Sequence, residues 1–137
     1  MSFGYGIGDF LTVIGIAWKV YNDFKDAPEQ LKDISQGVGT LATLLEQVDQ
    51  STKTYTLSQE SKDAVARALN GCKGVLDELR ELCEKHKLKN PALKRWWYRF
   101  RWDQVKINEL RDRITVNATM LNVFQASYIR YTSSPIQ

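Results

Sequence analysis

The sequence predicts an all-α fold: a four-helix bundle of the up-down type, with a short basic and aromatic connector helix before the last helix. Three observations carry this. Apolar residues recur at steps of three and four over four long segments, strand-like alternation is scarce, and Pro28, Pro91 and Pro135 all fall at segment boundaries. At 137 residues, with 43% hydrophobic and 26% charged residues, the chain is one domain by length and can bury a core without disulfides or metal. Residues 1–131 make that domain, and 132–137, TSSPIQ, read as a tail.

The first helix runs from Asp9 to Lys25. Phe10, Val13, Ile14, Ala17, Val20, Tyr21 and Phe24 form one face, while Leu11, Ile16 and Trp18 lie off it. Its first three turns are therefore apolar nearly all round, as in a helix that is central to a bundle or meets lipid. Asp26 can cap the next helix, with Pro28 in its first turn. That second helix, from about Pro28 to Gln50, carries a narrow seam of Leu31, Ile34, Val38, Leu41, Leu45 and Val48, weakened in its middle by Gly37 and Gly39.

A third helix starts near Ser58 or Gln59 and runs to about His86, with Val65, Leu69, Cys72, Leu76, Leu79 and Cys83 facing inward. Gly71 and Gly74 allow close approach or a bend there. The last helix, from about Gln104 to Tyr131, is capped by Asp103 and carries Ile107, Leu110, Ile114, Leu121, Phe124 and Tyr128 on one stripe. Asn117 falls on the same stripe, where a polar side chain is expected to bond a neighbouring helix and fix register.

Enzyme chemistry finds no constellation. Gly4, Gly6 and Gly8 have neither a strand before them nor a Lys-Ser/Thr pair after them, so a phosphate loop is not built. His86 is the single histidine and sits among lysines at a helix end. Cys72 and Cys83, three turns apart on one helix, are too far from each other for a disulfide and read as small core residues of a reducing compartment. No cofactor or metal is implied. The opening stretch is also a poor secretory signal, because no cation precedes its apolar run and Asp9 interrupts it.

Charge is distributed unevenly. Seven of the 19 basic residues fall between Lys85 and Trp102, where there is no acid, leaving 12 basic against 16 acidic residues elsewhere. Within that segment Lys94, Arg95, Trp96, Trp97, Arg99, Arg101 and Trp102 interleave cations with rings. Three uses fit such a composition. Half the rings can belong to the core while the cations snorkel outward; the segment can lie on an anionic membrane; or it can stack and neutralise single-stranded nucleic acid. The packing use carries the most weight and nucleic acid the least.

The start Met1-Ser2-Phe3-Gly4-Tyr5-Gly6-Ile7-Gly8-Asp9-Phe10, then Ala17-Trp18-Lys19-Val20-Tyr21 and Asp26-Ala27-Pro28-Glu29, resembles the fungal N-terminal domain of STAND (NLR-like) proteins, of the HeLo-like group. Trp102-Asp103, Glu109 to Ile114 and Asn117 to Asn122 agree with it at the far end, so the resemblance spans the chain from Met1 to about Tyr131. It implies a non-enzymatic signalling or effector domain in defence or incompatibility, cytoplasmic and recruited to the plasma membrane on activation. Partners would be further copies or other helical-bundle domains, and anionic membrane lipids.

In similar domains an N-terminal hydrophobic helix is implicated in membrane damage, a role that here maps onto Phe10, Leu11, Val13, Ile14, Ile16 and Trp18. The alternative is an interaction or oligomerisation module whose first helix never leaves the core. In that case Leu11→Lys and Ile16→Lys are expected to unfold the domain, each burying a charge without a partner.

Overall fold

The computed structural model describes residues 7–26, 29–54, 56–89 and 104–132. Four helices account for nearly all of them: α1 (Ile7–Phe24), α2 (Glu29–Thr54), α3 (Gln59–Lys89) and α4 (Gln104–Thr132). The expected connector helix, the cap proposed at Asp103, Pro28 before the second helix, and the tail beyond Thr132 lie outside the described residues.

Local chemistry sets the helix ends. At the start of α3 the Ser58 hydroxyl accepts the Ser61 amide at 3.1 Å, an N-cap that satisfies one of the first-turn donors. The α2 helix runs four residues past the end its apolar seam suggests. Its last turn is held by the Thr52 hydroxyl donating to the Asp49 carbonyl, the Thr54 hydroxyl donating to the Gln50 carbonyl, and a Lys53–Asp49 ion pair at 3.1 Å. Lys53 also places a cation at the negative end of the helix dipole.

The helices that pack together are α1 with α2, α1 with α3, α2 with α4 and α3 with α4. Around the bundle the order is therefore α1, α2, α4, α3, with the sequence neighbours α2 and α3 on a diagonal. Contacts fix the directions. On α2, Asp33, Gly37 and Ser51 meet Arg111, Ile114 and Gln125 of α4 in rising order, so these two helices run parallel. On α3, Gly71 and Glu78 meet Asn117 and Lys106 in opposite order, so α3 and α4 run antiparallel. Up-down-up-down topology follows, as the sequence predicts.

All the inward-facing residues read from the seams of α2 and α3 are buried, as are Ile107, Leu110, Ile114 and Leu121 on α4. The buried face of α2 is wider than a narrow seam. Ser35, Ala42 and Leu44 are buried too, because α2 packs on α1 along one flank and α4 along the other.

Two glycines mark close helix crossings. A methyl group on Gly37 would lie 2.9 Å from Ile114 Cγ2, so α2 and α4 approach there more closely than a side chain permits without a shift of Ile114. On Gly71 a methyl would run into the Asn117 carboxamide, which fills the notch in α3. This corrects the expectation for Asn117. Its amide donates at 2.8 Å to the carbonyl of Arg113, one turn back on its own helix, and it contributes to the α3–α4 contact by shape.

Candidate functional site

The six α1 residues assigned to membrane contact separate into three groups. Phe10, Val13 and Ile14 are buried core; Ile16 and Trp18 are half-buried and packed against that core; Leu11 alone is well exposed, at 56%. Trp18 is covered by geometry: its ring meets Tyr21 edge-on with centroids 5.7 Å apart, and Tyr21 in turn lies against Gly39 of α2. An apolar circumference in sequence thus becomes a helix with little free apolar surface. Because Leu11 points outward, Leu11→Lys buries no charge, and the expectation that it unfolds the domain does not hold.

The cationic and aromatic residues Lys94, Arg95, Trp96, Trp97, Arg99, Arg101 and Trp102 lie outside the described residues. The helix ends that flank them, Lys89 and Gln104, stand at the end of the bundle opposite the start of α1, as the parallel pairing of α2 with α4 requires.

Free apolar surface is found instead on α4. Val116, Met120 and Val123 stand 57%, 41% and 61% exposed and repeat at steps of four and three, forming one stripe along the outside of the helix. No member of this stripe was singled out by the inward-facing periodicity. The signal in the sequence is a different one: residues 114–129 contain no Asp, Glu, Lys or Arg.

The stripe borders a groove of about 960 Å³ between the first half of α3 and the second half of α4, whose walls include Ala64, Val65, Ala68, Met120, Val123 and Phe124. Its cause is local. The two helices are drawn together where Asn117 fits Gly71, while nearer the start of α3 the side chains facing α4 include the small residues Ala64 and Ala68, which leave space unfilled.

At the other end of the α3–α4 contact the chemistry is ionic. Glu78 of α3 accepts hydrogen bonds from Lys106 and from Arg113 of α4, and Glu109 pairs with the same two cations at 3.5 and 3.4 Å. The hydrogen bond from Lys106, and then that from Arg113, holds the Glu78 carboxyl below its ordinary range; the same bond to Glu78 raises Lys106. These side chains are about a third exposed and complementary in sign, which is the pattern of a structural clamp.

Cys72 and Cys83 are both buried free thiols, and burial pushes the Cys72 thiol up to about 12, which keeps it protonated and unreactive at neutral pH. Among the described residues no group of three or more His, Cys, Asp or Glu is placed to hold a metal ion, and no helix is long and apolar enough to cross a membrane.

Comparison with known proteins adds one finding. The family model SesA, described as an N-terminal domain on NACHT NTPase and P-loop NTPases, matches residues 7–125, from the first turn of α1 almost to the end of α4. No curated protein and no solved structure matches the chain.

Proposed function

Because the chain belongs to the SesA family, the N-terminal domain on NACHT and P-loop NTPases, we propose that it is the signalling end of such a protein and acts by association of helical bundles, first with its own copies. Its role is that of an effector or regulatory domain, and α1 stays in the core while it acts.

The observation that carries this reading is the burial of α1. Phe10, Val13, Ile14, Val20 and Phe24 are each at most 8% exposed. Burial of side chains of this kind contributes about 1.5–3 kcal/mol each, so undocking α1 would cost roughly 8–15 kcal/mol. That is comparable to the whole stability of a domain this size, about 5–15 kcal/mol, so releasing α1 in water would nearly unfold the bundle. Association through a surface that is already exposed carries no such cost.

Sedimentation velocity from micromolar to millimolar concentration, with circular dichroism on the same samples, tests the reading. The expected result is concentration-dependent association with unchanged helical content. A chain that stays monomeric throughout would contradict it.

A second reading has its own support. Among the described residues α1 packs chiefly on α2 and α3, and an ion pair that ties it to α3, Lys19–Glu84 at 3.3 Å, is exposed. In this reading an assembled domain of a defence or incompatibility protein releases α1 to a plasma membrane and kills the cell. Lipid replaces the lost core contacts, and Lys94, Arg95, Arg99 and Arg101 meet anionic headgroups. Leakage of phosphatidylserine vesicles is the test. Leakage that Leu11→Lys abolishes without loss of fold supports release, and intact vesicles in the presence of folded, associated protein sink it.

A further inference from the structure

We propose that the outer face of α4 is a self-association surface, on which a second copy of this chain packs its own α4 antiparallel about a two-fold axis near Met120. This rests on the association reading above and names its surface.

The charge pattern selects the occupant. Elsewhere the outward faces carry ions: Lys19 on α1, Lys32, Asp33, Glu46 and Lys53 on α2, and Lys62, Asp63, Arg67, Lys73 and Glu84 among others on α3. These faces mix both signs, and packing any of them on a second copy strips ions of water. The stripe of Val116, Met120 and Val123 lies within the uncharged stretch 114–129 and has no ion to desolvate. A partner that recognises charge has nothing to read there, whereas a second neutral stripe fits.

Register supplies the geometry. In an antiparallel pair centred near Met120, Val116 lies opposite Val123 of the second copy, Val123 lies opposite Val116 of the second copy, and Met120 faces Met120 of the second copy. The Val116–Val123 contact is thus made twice and Met120 meets its own copy at the axis, as a two-fold interface requires. The adaptable thioethers sit where the helices come closest.

Size sets the strength. Three partly exposed side chains fall well short of the roughly 800 Å² per partner of a stable dimer. Contact between free copies is therefore weak, and it becomes populated when copies are held at high effective concentration, as on NTPases that gather into an assembly.

Cysteine cross-linking tests the surface, with Cys72 and Cys83 left in place because both are buried. Met120→Cys is compared with Gln47→Cys, an exposed position on α2, under mild oxidation, and Val116→Cys is mixed with Val123→Cys. The expected result is a disulfide-linked dimer of Met120→Cys forming at least tenfold faster than that of Gln47→Cys, with the mixture giving more mixed dimer than either single variant gives homodimer. Val123→Glu, at an exposed position, should abolish association while keeping the helical spectrum.

If the chain associates by sedimentation but Met120→Cys and Gln47→Cys cross-link at equal rates, the α4 surface is overturned and the association reading stands. If the chain stays monomeric at millimolar concentration and the rates are equal, both fall. A Met120→Cys thiol that a small maleimide labels no faster than Cys72 means the stripe is covered within one copy, which also overturns the proposal.

Discussion

The first and last helices of this bundle exchange the roles their sequences suggest. The α1 segment is apolar nearly all round, yet its apolar residues are spent on α2, α3 and its own Tyr21, leaving Leu11 as the one well-exposed apolar side chain among the described residues of α1. The α4 segment reads as an ordinary one-sided helix, yet it carries a second apolar stripe that the bundle leaves in solvent. What separates them is the number of polar residues between the apolar ones. In α1 the off-face Ile16 and Trp18 pack against the core, Trp18 beside Tyr21, whereas in α4 the stripe is set among Thr115, Thr119, Asn122 and Ala126, which are themselves exposed. Apolar content in a helix therefore shows that a surface must be covered, and packing order shows which surface is left over.

The contrast can be broken most strongly at the core of α1. Phe24 is fully buried, and Phe24→Ala is expected to cost about 3–5 kcal/mol in urea unfolding, through lost transfer energy and a cavity. A loss below about 1 kcal/mol would mean that α1 is not part of the cooperative core.

The glycines give an effect of opposite signs. Gly37→Ala should destabilise by about 1–2 kcal/mol, because the clash with the stiff, branched Ile114 outweighs the helix propensity gained. Gly15→Ala, with nothing within 4 Å of the added methyl, should instead stabilise by about 0.5–1 kcal/mol. Thermal melts of both variants check the sign.

The α3–α4 clamp should give less. Glu78 has a carboxyl lowered in the folded state, so its contribution is fully present above the ordinary carboxylate value and is lost as pH falls through the lowered one. Glu78→Gln is expected to cost less than about 1 kcal/mol at neutral pH, since the clamp is screened by solvent. The difference from wild type should vanish in strong acid, which parallel denaturation curves across the acid range would reveal. Smallest of all is Leu11→Lys, expected to lie within about 0.5 kcal/mol of wild type because Leu11 faces solvent.

Periodicity made the core legible: Leu31 through Val48 on α2 and Val65 through Cys83 on α3 were identifiable from steps of three and four because burial repeats with the helix. It could not give the order of helices around the bundle, which depends on which faces meet. For that reason the sequence reading missed Ser35, Ala42 and Leu44 as buried residues, and assigned Asn117 a bond to another helix when it fits a notch at Gly71. The extra turn of α2 was hidden in hydroxyl and ion-pair contacts of Asp49, Thr52, Lys53 and Thr54, which carry no apolar period. The α4 stripe was hidden for the opposite reason. Its residues are apolar but off the inward face, and only the absence of charge from 114 to 129 pointed to it.

Hydrogen–deuterium exchange, compared between the chain as a monomer and at concentrations where it sediments as an oligomer, addresses the contrast between α1 and α4 most directly. With α1 held in the core and α4 as the contact, amides of residues 10–24 should keep the same protection in both states while those of residues 116–127 gain protection on association. Loss of protection across residues 10–24 on association, with no change along α4, would contradict it.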